Sequence, residues 1–149
     1  MSKPIPAIVL GGTGYVSGEL LRLILGHPYF TLSGVMSDSS PGELAGKSFP
    51  HLAGALGDTA FKSQSDIAAL IAAEPSSAVF CAAPHGAAAA LIDSLLKVAE
   101  SAGTKPRFVD ISADFRFATA AAYEAVYQEI REHINDLAEA ILGEKTKRP

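Results

Sequence analysis

Ala7-Ile8-Val9-Leu10-Gly11-Gly12-Thr13-Gly14-Tyr15-Val16-Ser17-Gly18 is the stretch that decides the fold. Its first four residues are a continuous apolar run bounded by Pro6 and Gly11, the pattern of a strand buried on both faces of a parallel sheet. Glycines 11, 12 and 14 then punctuate the chain. Leu20, Leu21, Leu23, Ile24 and Leu25 follow as a helical apolar face that ends at Gly26 and Pro28. A strand that enters a tight turn and leaves it as a helix presents backbone N–H groups and the positive end of the helix dipole. Glycines let such a backbone approach a pyrophosphate closely. The spacing is G-x-x-G-x-x-S rather than G-x-G-x-x-G, with Ser17 in the third small position and Gly18 beside it. The strand–turn–helix context points to a dinucleotide-binding turn over Gly11, Gly12, Thr13, Gly14, Tyr15 and Val16, against the plainer reading of a structural turn.

Outward from this turn, strands and helices alternate. Thr31 to Ser37 reads as a second strand and Thr59 to Lys62 as a short third one. Residues 37–57, with four glycines and two prolines, read as loop. Ser65 caps a helix through Ala73 that Pro75 stops. Ala78 to Ala83 is a further buried strand, Ala87 to Ala102 a helix closed by Gly103, and Arg107 to Ile111 another strand. Thr119 begins an alanine-rich helix. Ile130, Ile134, Leu137, Ala138, Ile141 and Leu142 share one helical face before a polar tail. The order predicts an α/β protein of the Rossmann type: a doubly wound, mainly parallel sheet with helices on both faces and right-handed crossovers, one domain with an added C-terminal helix.

Composition narrows the function. The 149 residues suit one domain. Lys and Arg number 12 against 16 Asp and Glu, a net charge of −4, which lacks the broad basic field of nonspecific nucleic-acid binding. With 48% hydrophobic and 19% charged residues the chain is not of disordered composition. No apolar run approaches the roughly 18 residues of a membrane span, and Met1 to Pro4 lead directly into the first strand without a signal or transit peptide. A cytoplasmic protein without nucleic-acid or membrane partners is the expectation. A lone cysteine makes neither an internal disulfide nor a cysteine zinc cluster, and the four histidines are scattered, so no metal site is expected.

The segment after the second strand normally selects the cofactor. Ser37 and the hydroxyls after it can donate to a 2′-phosphate, whereas Asp38 facing the ribose repels one, so NADP and NAD both stay open here. Ala45-Gly46-Lys47-Ser48 looks like the end of an ATP-binding loop, but Pro41 stands where its first glycine is required. His27 reads as a partner of a helix C-terminus, His51 as a loop-packing residue, and His133 as solvated. Cys81, inside an apolar strand, reads as an inert core thiol. Tyr123 and Tyr127 read as packing residues of one helix face, and Asp114 as an orienting partner of Arg116 or a helix cap.

The glycine turn together with Phe49-Pro50-His51-Leu52, Val79-Phe80-Cys81-Ala82-Ala83-Pro84-His85-Gly86 and Asp110-Ile111-Ser112-Ala113-Asp114-Phe115-Arg116 resembles the N-terminal cofactor domain of the N-acetyl-gamma-glutamyl-phosphate reductases, in the aspartate-semialdehyde dehydrogenase-like group. The likeness runs from about Ile5 to Gln128. It implies an NADP-dependent oxidoreductase of arginine biosynthesis that reduces an acyl phosphate to a semialdehyde, through a cysteine thioester, a hydride and a proton-handling histidine. It implies cofactor contacts at Gly11 to Val16, Ser37, Pro84, His85 and Gly86, and a substrate-binding guanidinium at Arg116.

The family's nucleophile lies in a later N-G-C-Y-P-T-like segment that these 149 residues do not contain. No catalytic residue is therefore assigned. The expected organisation is an NAD(P)-binding domain over 1–128 and an amphipathic helix with a polar tail over 129–149, the catalytic domain absent. Such a chain binds NADP(H) without turning over. The competing expectation is a non-enzymatic interaction module of the same fold, or an oligomerising fragment whose partner is a second copy.

Overall fold

The computed structural model describes residues 3–112 together with 119, 121, 122, 124–126, 128 and 132. The chain divides into two compact units, Met1–Asp114 and Phe115–Pro149.

In the first unit, four described strands form one sheet of order β2-β1-β3-β4 in which every pairing is parallel: β1 (Ile5–Leu10), β2 (Phe30–Val35), β3 (Ala78–Cys81) and β4 (Arg107–Asp110). Ala7, Ile8, Val9 and Leu10 are completely buried, as the unbroken apolar run requires of a strand covered on both faces. Side chains alternate along a strand. Ala7 and Val9 accordingly join Leu21, Ile24, Val35 and Phe49 on one face. Ile8 and Leu10 join Ile67, Ile71, Leu91 and Leu95 on the other.

Helix α1 (Tyr15–Leu25) covers the first face, and α4 (Gln64–Ala73) with α5 (Ala88–Ala102) covers the second. The chain moves from β1 to β2 by way of α1, and in the opposite direction across the sheet by way of α4 and α5. Reversing direction while changing face gives all three crossovers the same hand, which is the geometric content of a doubly wound sheet.

Three local readings are corrected. Residues 37–57 are not all loop: they hold the single-turn helices α2 (Ala45–Ser48) and α3 (Ala53–Leu56) around a 3-10 turn at Pro50–Leu52. These helices cover apolar anchors, since Ala45, Phe49 and Leu56 are buried against α1's face. Thr59 to Lys62 is not a strand but makes two isolated bridges, Met36 to Lys62 and Leu44 to Ala60. Its backbone is divided between two partners, so no ladder grows. The cap of α4 is Ser63 rather than Ser65. Ser63 Oγ accepts from Asp66 N at 3.2 Å and Asp66 Oδ2 accepts from Ser63 N at 3.0 Å, a reciprocal capping box that needs the acid three residues on.

In the second unit, the described residues 121, 122, 124–126, 128 and 132 are helical. Thr119 Oγ1 accepts from Ala122 N at 3.2 Å, as an N-terminal cap does. Arg116, Asp114, Tyr123, Tyr127 and His133 lie outside the described residues. So do the expected boundary after residue 128 and the helix and tail over 129–149, Glu132 apart. Among the described residues, no helix is long and apolar enough to cross a membrane.

Candidate functional site

The site begins where β1 ends. Gly11 has φ +110°, and a Cβ there would sit 2.4 Å from the Ala82 carbonyl carbon, so the turn lies directly against the segment leaving β3. Ala82 N donates to Leu10 O at 2.8 Å on the same side. Gly12 has φ +63°, and its Cβ would come within 2.9 Å of Ser37 Oγ, just beyond β2. Both glycines are demanded by the protein's own backbone.

Gly14 differs. Its φ of −70° suits any residue, and the nearest atom to an added Cβ is Gly11 O at an ordinary 3.9 Å. It is the N-cap of α1, yet no side chain caps that helix, and no acidic residue stands in its first turn. The amides and the positive dipole end are therefore left to whatever occupies the space in front.

Beside this helix start lies a cavity of about 570 Å³. One wall is the turn itself, Gly11, Gly12 and Thr13. A second is the segment after β2, Met36 to Ser39. A third is Ala83 and Pro84 after β3, continued by Ala87, Ala90, Leu91 and Ser94 along α5. Gln64, the first residue of α4, completes the far end. The cavity thus sits at the carboxyl edge of the sheet, where the strand order reverses between β1 and β3.

Of the residues expected from sequence, Gly11, Gly12, Thr13, Ser37 and Pro84 line this one cavity, as does Asp38. Ser37 is buried, and its hydroxyl lies 3.2 Å from that of Ser39. Gly14, Tyr15 and Val16 form the helix start beside the cavity without lining it, Tyr15 being 86% exposed. His85 and Gly86 follow Pro84 in the loop to α5 and are not among the lining residues. Arg116 lies outside the described residues, and the motif that carries it is described only to Ser112. There Asp110 accepts from Ser112 N and Oγ, both at 2.9 Å, which turns the chain as it leaves β4.

The remaining single residues are structural in form. Cys81 is buried in β3. His51 lies edge-on to Phe49 at 6.4 Å. His27 follows the C-terminus of α1, where its Nδ1 accepts from Tyr29 N at 3.2 Å and its ring packs 4.6 Å from Phe30.

Sequence reasoning missed Met36, Gln64, Ala87, Ala90, Leu91 and Ser94. The α5 residues follow the Pro84 loop at helical spacing and were legible in principle. Gln64 and Ser94 are 30 residues apart and meet only through the packing of α4 on α5.

Comparison with known proteins agrees with this geometry. The family model described as semialdehyde dehydrogenase, NAD binding domain, matches residues 6–137. A protein of Rhodospirillum rubrum named N-acetyl-gamma-glutamyl-phosphate reductase is 34% identical over 146 residues, covering 96% of this chain and 39% of its own length. One of the same name from Nitrosococcus oceani is 37% identical over 139 residues, 93% of this chain and 38% of its own. A Thermomicrobium roseum protein, named as a LysW-L-2-aminoadipate 6-phosphate reductase, is 37% identical over 139 residues, 93% of this chain and 36% of its own. The chain therefore spans a little over a third of the length of these relatives, and with the family model matching most of it, it belongs to the semialdehyde dehydrogenase family, as an NAD-binding domain.

Proposed function

We propose that the chain holds NADP(H) for a reductase that converts an acyl phosphate to a semialdehyde, as the names of its glutamyl-phosphate relatives suggest, and that it serves arginine biosynthesis in the cytoplasm. The carrying observation is that the glycine turn and the segment after β2 open into one cavity. A dinucleotide needs that continuity, since its pyrophosphate and adenosine ribose are bound together. Gly14 supports the reading, because the open space at its Cβ position lets a phosphate approach the backbone closely.

In this reading the pyrophosphate rests on the amides of Gly11 to Val16. Ser37 and Ser39 turn hydroxyls to the ribose end, and Pro84, His85 and Gly86 border the nicotinamide half. Arg116 holds the anionic end of the substrate as a bidentate donor. When bound, the nicotinamide supplies the hydride; the chain's own residues bind and orient it. Cys81 is enclosed in β3 and takes no part in thioester chemistry. The 149 residues alone therefore hold cofactor without turnover.

Asp38 gives a second reading of the cofactor. It lines the cavity directly after Ser37, and a carboxylate at this place bonds a ribose 2′-hydroxyl and repels a 2′-phosphate. A thermal-shift titration with NADPH and NADH decides both points. Stabilisation by NADPH is expected; a preference for NADH transfers the choice to Asp38; no shift with either at millimolar concentration overturns the dinucleotide reading. Gly14→Asp is expected to abolish the shift while leaving the urea midpoint without ligand nearly unchanged. Retained binding would mean that the turn does not meet the pyrophosphate.

A further inference from the structure

The far end of the cavity carries a feature that the phosphate and ribose contacts do not use. Ser94 Oγ donates to Leu91 O at 2.7 Å, so its single proton is committed to the backbone. Toward any second partner Ser94 can only accept. Gln64 lies 3.0 Å from it, and the bond runs from Gln64 Nε2 to Ser94 Oγ. A flipped carboxamide would set Oε1 against an oxygen with no proton to give. With the hydroxyl donating to Leu91 O, this arrangement favours the carboxamide with Nε2 toward Ser94. The backbone of Gln64 is fixed as well, because it is the first residue of α4, within the Ser63–Asp66 capping box.

The amide so oriented leaves one carbonyl acceptor and one N–H donor at the end of a cavity whose adjoining wall, Ala87, Ala90 and Leu91, is apolar and suited to the face of a base. An acceptor and a donor side by side match adenine, which offers an amino group next to a ring nitrogen. Hypoxanthine presents O6 and N1–H, the same pair in reverse order, which this carboxamide orientation meets acceptor to acceptor and donor to donor. We propose that Gln64 reads the adenine base of the bound dinucleotide and that Ser94 is the positioning residue that makes it selective. This rests on the dinucleotide reading of the cavity and adds to it a base-selective contact.

The test is isothermal titration of the whole chain with the preferred reduced nucleotide and with its hypoxanthine (deamino) counterpart. The adenine form is expected to bind about tenfold more tightly. Ser94→Ala frees the amide to turn over. It should leave the affinity for the adenine form within about threefold, raise that for the hypoxanthine form, and bring the ratio close to one. Gln64→Leu should also bring the ratio close to one, by weakening the adenine form. Helix α5 accepts alanine readily, so loss of folding does not confuse the Ser94 variant. Equal affinity of the unaltered protein for the two nucleotides overturns the inference and leaves the dinucleotide reading standing. So does a preference that survives both substitutions. Failure of the unaltered protein to bind either nucleotide overturns both.

Discussion

The two faces of the sheet are finished differently. On the α4 and α5 side, Ile8, Leu10, Val79 and Cys81 are fully buried, and Phe108 of β4 packs against the same cluster. On the α1 side, burial is complete at Ala7 and Val9 of β1 but fades across the sheet. Phe80 is only partly buried, and Val109, its register partner on β4, is 47% exposed. Among the described residues, α1 and the short helices α2 and α3 cover β1 and β2 and reach no further than Phe80. Among the described residues, one face is therefore a closed core, and the other is a core over β1 and β2 that opens at Val109 of β4. The cavity lies at the carboxyl edge, walled by the finished side through α5 and roofed by the turn that opens α1. The rigidity of the site is thus drawn from the closed face, and its openness from the turn.

The comparison is open to direct attack. The largest expected effect is Ile71→Ala, which deletes a fully buried side chain of α4 and should cost about 2–5 kcal/mol in urea unfolding. A cost near zero would mean that the closed face is loosely packed. Next is Ser63→Ala, which removes the hydroxyl that accepts from Asp66 N and leaves the Ser63 N–H to Asp66 half of the capping box in place; it should cost about 1 kcal/mol by the same measurement. Val109→Ala on the open face should shift stability by less than about 0.5 kcal/mol. A loss as large as that at Ile71 would show that Val109 is covered in solution and would erase the contrast.

The smallest expected effect is on pH dependence. The hydrogen bonds from Ser63, side chain first and then backbone, hold the Asp66 carboxyl below its ordinary value of 3.8. Because the folded value is the lower one, the contribution is fully present above the ordinary value and is lost as the pH falls through the depressed one. Urea midpoints at neutral and acid pH should therefore converge slightly for Asp66→Asn relative to the unaltered protein. An unchanged acid slope would remove the carboxylate from the cap.

The elements that carry burial on a single period were legible in the sequence. Ala7 to Leu10 announced a two-sided strand, Leu20 to Leu25 a helix face, and Ala78 to Ala83 with Arg107 to Ile111 the other side of the sheet, where the strands run over Ala78–Cys81 and Arg107–Asp110. The turn at Gly11 to Gly14 was legible for the same local reason: strand, glycines and helix follow one another without a gap. Ser63 was displaced in favour of Ser65 because two serines compete, and only the partner three residues on, Asp66, separates them. Helices α2 and α3 were hidden under glycine and proline, since each is a single turn held by tertiary burial of Ala45 and Leu56 rather than by propensity. Gln64 and Ser94 were invisible because nothing local pairs residues 30 positions apart; the sheet order brings α4 and α5 together first.

The burial of Cys81 has a practical consequence. It is the only cysteine in the chain, and β3, which holds it, pairs with β1 on one side and β4 on the other. A thiol reagent can reach it only when the cover that α4 and α5 lay over that face of the sheet opens, so the protein carries its own clock for such opening without any engineered label. Labelling slows in proportion to the population withdrawn from the open state, and added nucleotide deepens that withdrawal by RT ln(1 + [L]/Kd). One native thiol is thus a gauge of ligand affinity, read as a rate of alkylation.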